Sequence, residues 1–380
     1  MMRVPLSSQW IDASDEQAVL DVLRSDHLSL GPRLPEFEEG LARVASVAHG
    51  VAVNSGTSAL HLIVRSLGLE EGDEVITTPF SFIASANCLL FERVKPVFVD
   101  IRPDTYNIDP TRIVAAITER TKGILPVDAF GQPAELDVLE GIARQHGIQL
   151  IEDSCESLGS EWKGQRCGSW GAAGAFAFYP NKQITTGEGG CVVTQSAEIA
   201  DLCRSMRNQG RGASGEWLEH ERLGYNYRIS DISCALGSSQ LKRLDRIIEL
   251  RGVAAGRYNA LLKDVPEVVV QTVLPEVTRM SWFVYVLRLA DQFTRVDRDW
   301  LIGWFSDHGV QSRPYFTPIH LQPFYVREFG YKPGDFPVTE HIAARTVALP
   351  FFTTITPEQQ GYVVTLLKDG LARRAEEMAR

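Results

Sequence analysis

A lysine beside a glycine-rich turn is the first residue that could do chemistry. Lys182 follows an apolar strand and precedes the turn Gly187–Gly190, in FAFYPNKQITTGEGG. Partial desolvation lowers the pKa of a lysine, and the free amine can then form a Schiff base with an aldehyde. A solvated loop lysine gives the same pattern, so Lys182 alone does not define a site.

A second segment could hold a phosphate. Residues 54–58, Asn-Ser-Gly-Thr-Ser, precede an amphipathic helix. The start of a helix leaves backbone N–H groups free, and small hydroxyl residues add donors, so one phosphate could bind there. A plain helix N-cap uses the same residue types and remains the alternative.

A third feature is an acidic pair that ends an apolar strand, Glu152 and Asp153. Asp153 could pair with a protonated ring nitrogen or with a metal, or it could cap the next turn. Only carboxylates such as Glu156 lie nearby and no histidine joins them, so no metal is expected.

These three features together match pyridoxal phosphate. This cofactor has a phosphate, a ring nitrogen that works best when protonated, and an aldehyde that an amine must hold. Segment 54–58, Asp153 and Lys182 provide one contact each. Phe80 and Phe82 could stack on the ring or could simply be buried in the core.

The pattern of elements from about residue 50 to 200 predicts a mostly parallel sheet, because short apolar runs alternate with helical patterns. Ligands bind beyond the carboxyl ends of such strands, where the three features would lie. The expected elements are strands at Glu74–Thr78, Val94–Asp100, Gly123–Asp128, Ile148–Glu152 and Cys191–Thr194, and helices at Ile83–Phe91 and Pro110–Glu119.

The pattern changes in the last third of the chain. Helical periodicity runs from about 229 to 262, and strands are expected at Pro266–Val270 and Trp282–Leu289. We therefore predict a large domain, 1–245, and a smaller α+β domain, 246–380, and the N-terminal segment could pack on the smaller one.

Composition excludes several classes of protein. The 380 residues are 44% apolar and 23% charged, with a net charge of −10, which disfavours nucleic acid as a partner. The six cysteines form no CxxC pair, and no apolar run approaches the ~20 residues of a membrane span. We expect a reduced, cytoplasmic protein with no membrane partner.

The sequence resembles the DegT/DnrJ/EryC1/StrS family of sugar aminotransferases over nearly its whole length. The resemblance implies the α/β architecture of fold type I, the aspartate-aminotransferase fold. It rests on seven blocks in order, NSGTSALHL, PFSFIASAN, DAFGQP, IEDSCESLGS, FAFYPNKQITTGEGG, LGYNYRISDISCALG and RPYFTPIHLQPFY.

The resemblance implies catalytic roles for Lys182 and Asp153. Lys182 matches the Schiff-base lysine, and family members that dehydrate a sugar carry histidine there. Asp153 matches the acid that pairs with the pyridinium, and Phe82 matches the aromatic that stacks on the ring.

The resemblance also implies a shared phosphate site. Gly56, Thr57 and Ser58 match the phosphate cradle, and Asn226 matches the residue that reaches a phosphate in the neighbouring subunit. A homodimer with shared active sites follows from that match.

Two residues depart from the common family pattern. Glu156 stands where many members have Gln or His near the phenolic oxygen of the cofactor, and a carboxylate there repels a phenolate unless one of them holds a proton. Ala177 stands where many members have a phosphate-binding serine, so one contact to the phosphate is missing.

Substrate contacts are implied for residues in the last blocks. Arg228, Arg313, Tyr315 and His320 fall near the sugar or donor site of the family, and an arginine suits a carboxylate or a diphosphate. A structural ion pair is the alternative for the arginines. Residues 29–32 match a loop that the family places beside the sugar.

The function implied is amino transfer from glutamate or glutamine to a keto sugar nucleotide, in amino-sugar, polysaccharide or natural-product biosynthesis. A cyclitol ketone is a second acceptor class. The alternatives are a deoxysugar dehydratase that uses the same cofactor and a non-catalytic sensor of sugar nucleotides.

Overall fold

A computed structural model describes residues 2–212 and 219–378. Helices and short strands alternate through most of the chain. In chain order the elements are α1 (Ala13–Leu23), α2 (Arg33–Ala45), β1 (His49–Val53), α3 (Gly56–Ser66), β2 (Glu74–Thr77), α4 (Ala84–Leu90), β3 (Lys95–Phe98), β4 (Thr121–Leu125), α5 (Leu136–His146), β5 (Gln149–Asp153), β6 (Glu161–Trp162), β7 (Gln165–Arg166), β8 (Ala173–Ala177), β9 (Gly190–Thr194), α6 (Ala197–Arg207), α7 (Asp231–Leu241), α8 (Leu244–Leu262), β10 (Val268–Val270), β11 (Val277–Arg279), β12 (Tyr285–Leu289), α9 (Arg295–Asp307), α10 (Pro323–Phe329), α11 (Pro337–Ala343), β13 (Thr346–Leu349) and α12 (Pro357–Met378).

The main sheet has seven strands in the order β1-β9-β8-β5-β4-β2-β3. Strands β8, β5, β4, β2 and β3 run parallel, and β9 runs antiparallel to both of its neighbours. Residues on both faces of these strands are buried, as expected for a sheet covered by helices on both sides. The predicted mostly parallel α/β fold is confirmed.

A second sheet, β10-β12-β13, is antiparallel and packs with helices α8, α9 and α12 around its own apolar core. Val4 joins this core and forms a bridge with Val310. The predicted boundary after residue 245 falls in the first turn of α8, and the division into domains remains a prediction.

The prediction of a helix at Pro110–Glu119 is wrong. The segment forms two short 3-10 turns, Pro110–Arg112 and Val114–Ala116, and Ile117 is already extended. Pro110 and Ile113 are its only fully buried residues, and so little apolar surface does not stabilise a longer helix.

Among the described residues, every helix lacks either the length or the unbroken apolar stretch needed to span a bilayer.

Candidate active site

A cavity of about 610 Å³ opens at the carboxyl ends of the parallel strands. Its wall combines residues that follow β2, β4, β5 and β8 with residues 283 and 314–316. The predicted site residues that line it are Gly56, Thr57, Phe82, Asp153, Glu156, Lys182 and Tyr315.

Lys182 places its amine inside this cavity. Its Nζ lies 3.7 Å from Glu156 Oε1 and 3.8 Å from the centre of the Phe283 ring, and the side chain is 12% exposed. The next residue, Gln183, donates from Nε2 to Ser281 Oγ and so fixes the loop. The amine is therefore partly desolvated and held in a defined place, unlike a solvated loop lysine.

Asp153 ends β5 and faces the same cavity. Its Oδ2 accepts a hydrogen bond of 2.6 Å from Ser85 Oγ, and its Oδ1 accepts one of 3.2 Å from the Cys155 N–H. Ser85 also contacts the Ser81 hydroxyl at 2.7 Å. These contacts orient a buried carboxylate toward the cavity. Ser85 was missed from the sequence, although it lies in the PFSFIASAN block.

The segment predicted to bind phosphate leads into the first turn of α3, which begins at Gly56. A Cβ on Gly56 would lie 2.7 Å from Ala177 Cβ, so only glycine fits there. The Gly56 and Thr57 N–H groups belong to the turn that has no intrahelical acceptors. Ser58 instead donates its hydroxyl to Asn54 Oδ1 at 2.7 Å, within the cap that Ser55 forms.

The two phenylalanines differ in environment. Phe82 lies at the cavity wall and is 62% exposed, so its ring is open to a ligand. Phe80 is fully buried with Tyr106, Phe130 and Phe316. Core burial is therefore the correct interpretation for Phe80.

Glu156 is a buried carboxyl facing Lys182. Its Oε2 accepts a hydrogen bond of 2.8 Å from the Phe130 N–H. Burial raises the pKa of Glu156 from its ordinary 4.5 to about 7, although the Lys182 amine opposes the shift. Near neutral pH this side chain can therefore hold a proton and donate a hydrogen bond into the cavity.

The raised pKa of Glu156 predicts a pH-dependent stability. The folded protein keeps a proton that the unfolded chain releases, so the free energy of unfolding falls as pH rises from about 4.5 to about 7. We expect Glu156→Gln to remove up to about 3 kcal/mol of this fall. Denaturant unfolding of the cofactor-free protein at pH 5 and pH 8 measures it. The exposed control Glu198→Gln should keep the wild-type difference, and an unchanged difference in Glu156→Gln would contradict the assignment.

The predicted substrate residues do not all meet at the cavity. Tyr315 lines it, and burial raises the pKa of Tyr315 to about 12, so its hydroxyl stays protonated. Arg313 is exposed close by and donates to the Ser312 carbonyl at 3.0 Å. Arg313 and residues 29–32 are not part of the cavity wall.

His320 also lies outside the cavity wall. Its side chain is fully buried, with Nε2 3.1 Å from Glu340 Oε1 and its ring against Phe336. Burial lowers the pKa of His320. The structure therefore shows a packed histidine at this position.

Asn226 and Arg228 lie on an extended segment that contacts Asn54 but is not part of the cavity wall. Asn226 is exposed and bridges to Asn208, whose Oδ1 accepts a hydrogen bond of 3.0 Å from Arg228. Neither residue lines the cavity of its own chain.

The parallel sheet, with a lysine and an acid in one cavity at its carboxyl edge and a helix start in the same wall, defines a fold type I enzyme. The sequence pattern of the DegT/DnrJ/EryC1/StrS aminotransferase family matches residues 9–368. The chain belongs to this family, and the predicted aminotransferase class is confirmed.

Individual relatives agree with this assignment. The spore coat polysaccharide biosynthesis protein SpsC of Bacillus subtilis is 35% identical over 376 residues, which cover 96% of each chain. A GDP-perosamine synthase of Caulobacter vibrioides is 32% identical, covering 96% of this chain and 97% of its own. The solved structure of Helicobacter pylori PseC, an aminotransferase involved in the biosynthesis of pseudoaminic acid, has a TM-score of 0.91 at 30% identity, covering 97% of this chain and 99% of that chain.

Proposed function

We propose that this enzyme transfers an amino group from an amino acid to a keto sugar carried on a nucleotide. The cofactor is pyridoxal 5′-phosphate, as predicted. The observation that carries the proposal is the convergence of Lys182 and Asp153 on one cavity, in a chain whose relatives include a GDP-perosamine synthase.

The cavity fits the cofactor on chemical grounds. Lys182 brings an amine for the aldehyde, and Asp153 brings a carboxylate for the ring nitrogen. The Gly56 position, where a Cβ would collide with Ala177, leaves open backbone N–H donors for the phosphate. Phe82 offers an exposed ring for stacking. Ala177 adds no hydroxyl, so the phosphate depends more on the start of α3 and on a second subunit.

The residues divide the chemistry among themselves. When bound, pyridoxal phosphate carries the amino group from donor to acceptor and takes electrons into its ring. The Lys182 amine would hold the cofactor by its aldehyde, and as a free amine it would take the proton from the α-carbon of the amino donor. Asp153 keeps the ring nitrogen protonated. Glu156, with its proton, donates toward the phenolic oxygen and avoids charge repulsion.

A homodimer with shared sites is part of this proposal. Asn226 is exposed and lies outside the cavity of its own chain, which suits a residue that completes the site of a neighbour. We propose glutamate or glutamine as the donor. Arg228 and Arg313 are proposed to lie near the sugar or the donor in that dimer, whereas the buried His320 packs on Phe336 and supports the fold. A cytoplasmic location remains a prediction from the sequence.

An amine-transfer screen tests the function. The purified protein is given glutamate or glutamine with a panel of keto sugar nucleotides and a keto cyclitol, and products are read by mass. We expect one class of acceptor to gain an amino group while the donor becomes its keto acid. Loss of a sugar hydroxyl without amine gain would indicate a dehydratase, and binding without any product would indicate a sensor.

A further inference from the structure

A buried histidine ties helix α3 to the segment that carries Asn226. His61 lies on α3 and is 3% exposed. Its Nδ1 is 3.0 Å from Tyr227 Oη, and its Nε2 is 2.8 Å from Glu92 Oε1. Both ring nitrogens are therefore engaged, one with the tyrosine that follows Asn226.

Glu92 binds Tyr225, the residue that precedes Asn226. Tyr225 Oη donates to Glu92 Oε1 at 3.0 Å, and Arg65 donates to Glu92 Oε2 at 2.8 Å. The rings of Tyr225 and Tyr227 stack at 4.9 Å with an angle of 10°. One cluster around the buried His61 therefore contacts both neighbours of Asn226.

The alternation of side chains explains what this arrangement does. In an extended segment, residues i and i+2 share a face and the residue between them points to the other. Tyr225 and Tyr227 both contact His61, so their shared face is packed on α3, while Asn226 is exposed. The Asn54 N–H also donates to the Tyr227 carbonyl at 2.9 Å, which pins the backbone. Asn226 is therefore exposed on a segment whose backbone and two neighbouring side chains are held against α3.

We propose that His61, Glu92 and Tyr227 are positioning residues that hold Asn226 at the phosphate of the cofactor bound by the partner subunit. This inference rests on the proposed function. The first turn of α3 belongs to the phosphate site of its own subunit, and its second turn carries His61. Helix α3 therefore contributes to two phosphate sites. Its first turn belongs to the site of its own subunit, and His61 supports the Asn226 that reaches the site of the partner.

Removal of one hydroxyl tests the role of the cluster. Tyr227→Phe keeps the ring and its stacking but loses the bond to His61. We expect the dissociation constant of the cofactor to rise about tenfold. The dimer should stay intact, and the melting temperature should fall only slightly, because the buried His61 loses one hydrogen-bond partner. Tyr362→Phe is the matched control, because it loses a similar 2.9 Å hydrogen bond, to the His308 carbonyl beside the second sheet. This variant should bind the cofactor with wild-type affinity. Wild-type affinity in Tyr227→Phe would overturn the proposal.

Dimers of two different subunits distinguish an effect of Tyr227 on the partner's site from a general loss of stability. Borohydride reduction fixes the cofactor only on a subunit that has Lys182, so Lys182→Ala silences one site. When the silent subunit also carries Tyr227→Phe, the dissociation constant of the cofactor captured on its wild-type partner should rise about tenfold. When the silent subunit has Tyr227 and its live partner carries Tyr227→Phe, capture should be normal. Equal or reversed affinities would overturn the inference, whereas a wild-type homodimer that captured no cofactor on Lys182 would show that the proposed function itself is wrong.

Discussion

Lys182→Ala is expected to lower the rate of amino transfer by about 10²–10⁴-fold. The amine that lies 3.7 Å from Glu156 Oε1 is lost, and with it the group that would move the proton during transfer. A positioned acid–base group contributes about 10²–10⁴-fold to such a step. The phosphate and ring contacts remain, so the variant should still bind the cofactor. Stopped-flow absorbance with glutamate measures the half-reaction.

Lys122→Ala is the control for this variant, because Lys122 is an exposed lysine on β4 that is not part of the cavity wall. It should transfer amine at the wild-type rate. A small primary amine added to Lys182→Ala should restore part of the rate, since it can move the same proton. Wild-type turnover in Lys182→Ala, or borohydride capture on another lysine, would contradict the role of Lys182.

Asp153→Asn is expected to lower the rate of amino transfer by about 10²–10³-fold, the cost of removing one preorganised electrostatic contact. The amide keeps the size of the side chain and can still accept from Ser85, but it has no charge to keep a ring nitrogen protonated. The cofactor should still bind, and its absorbance with substrate should differ from that of the wild type. Single-turnover kinetics and the absorbance spectrum measure both effects.

Two further variants test whether this effect is specific to Asp153. Glu152→Gln changes the preceding buried acid, which is not part of the cavity wall. Its two oxygens accept from the Gly168 and Trp170 N–H groups, so this variant shows what the loss of a buried contact beside Asp153 costs, and its rate should fall less than that of Asp153→Asn. Ser85→Ala removes one hydrogen bond from the Asp153 carboxylate and should give a smaller loss than Asp153→Asn. If Glu152→Gln were as slow as Asp153→Asn, the loss would reflect stability and not the ring nitrogen.

Local sequence was enough to predict the elements that place the site. Alternating apolar runs predicted the parallel strands, and residues 54–58 predicted a helix start that the structure has at Gly56. Such signals are local, because helix caps and side-chain alternation depend on near neighbours. The same reasoning wrongly predicted a helix at Pro110–Glu119. The structure has two short 3-10 turns there, because too little of the segment is buried to stabilise a longer helix.

Sequence by itself determined the family, because seven motifs occur in the family's order. It also predicted the sheet edge at which the cavity opens, and it singled out Lys182 and Asp153, which both line that cavity. Only the tertiary structure decided that Phe80 is core while Phe82 is open, and that His320 is packed against Phe336. It alone brought Ser85 to Asp153 across 68 positions and His61 to Tyr227 across 166. Contacts between distant segments depend on how helices pack on the sheet, and no local pattern records that packing.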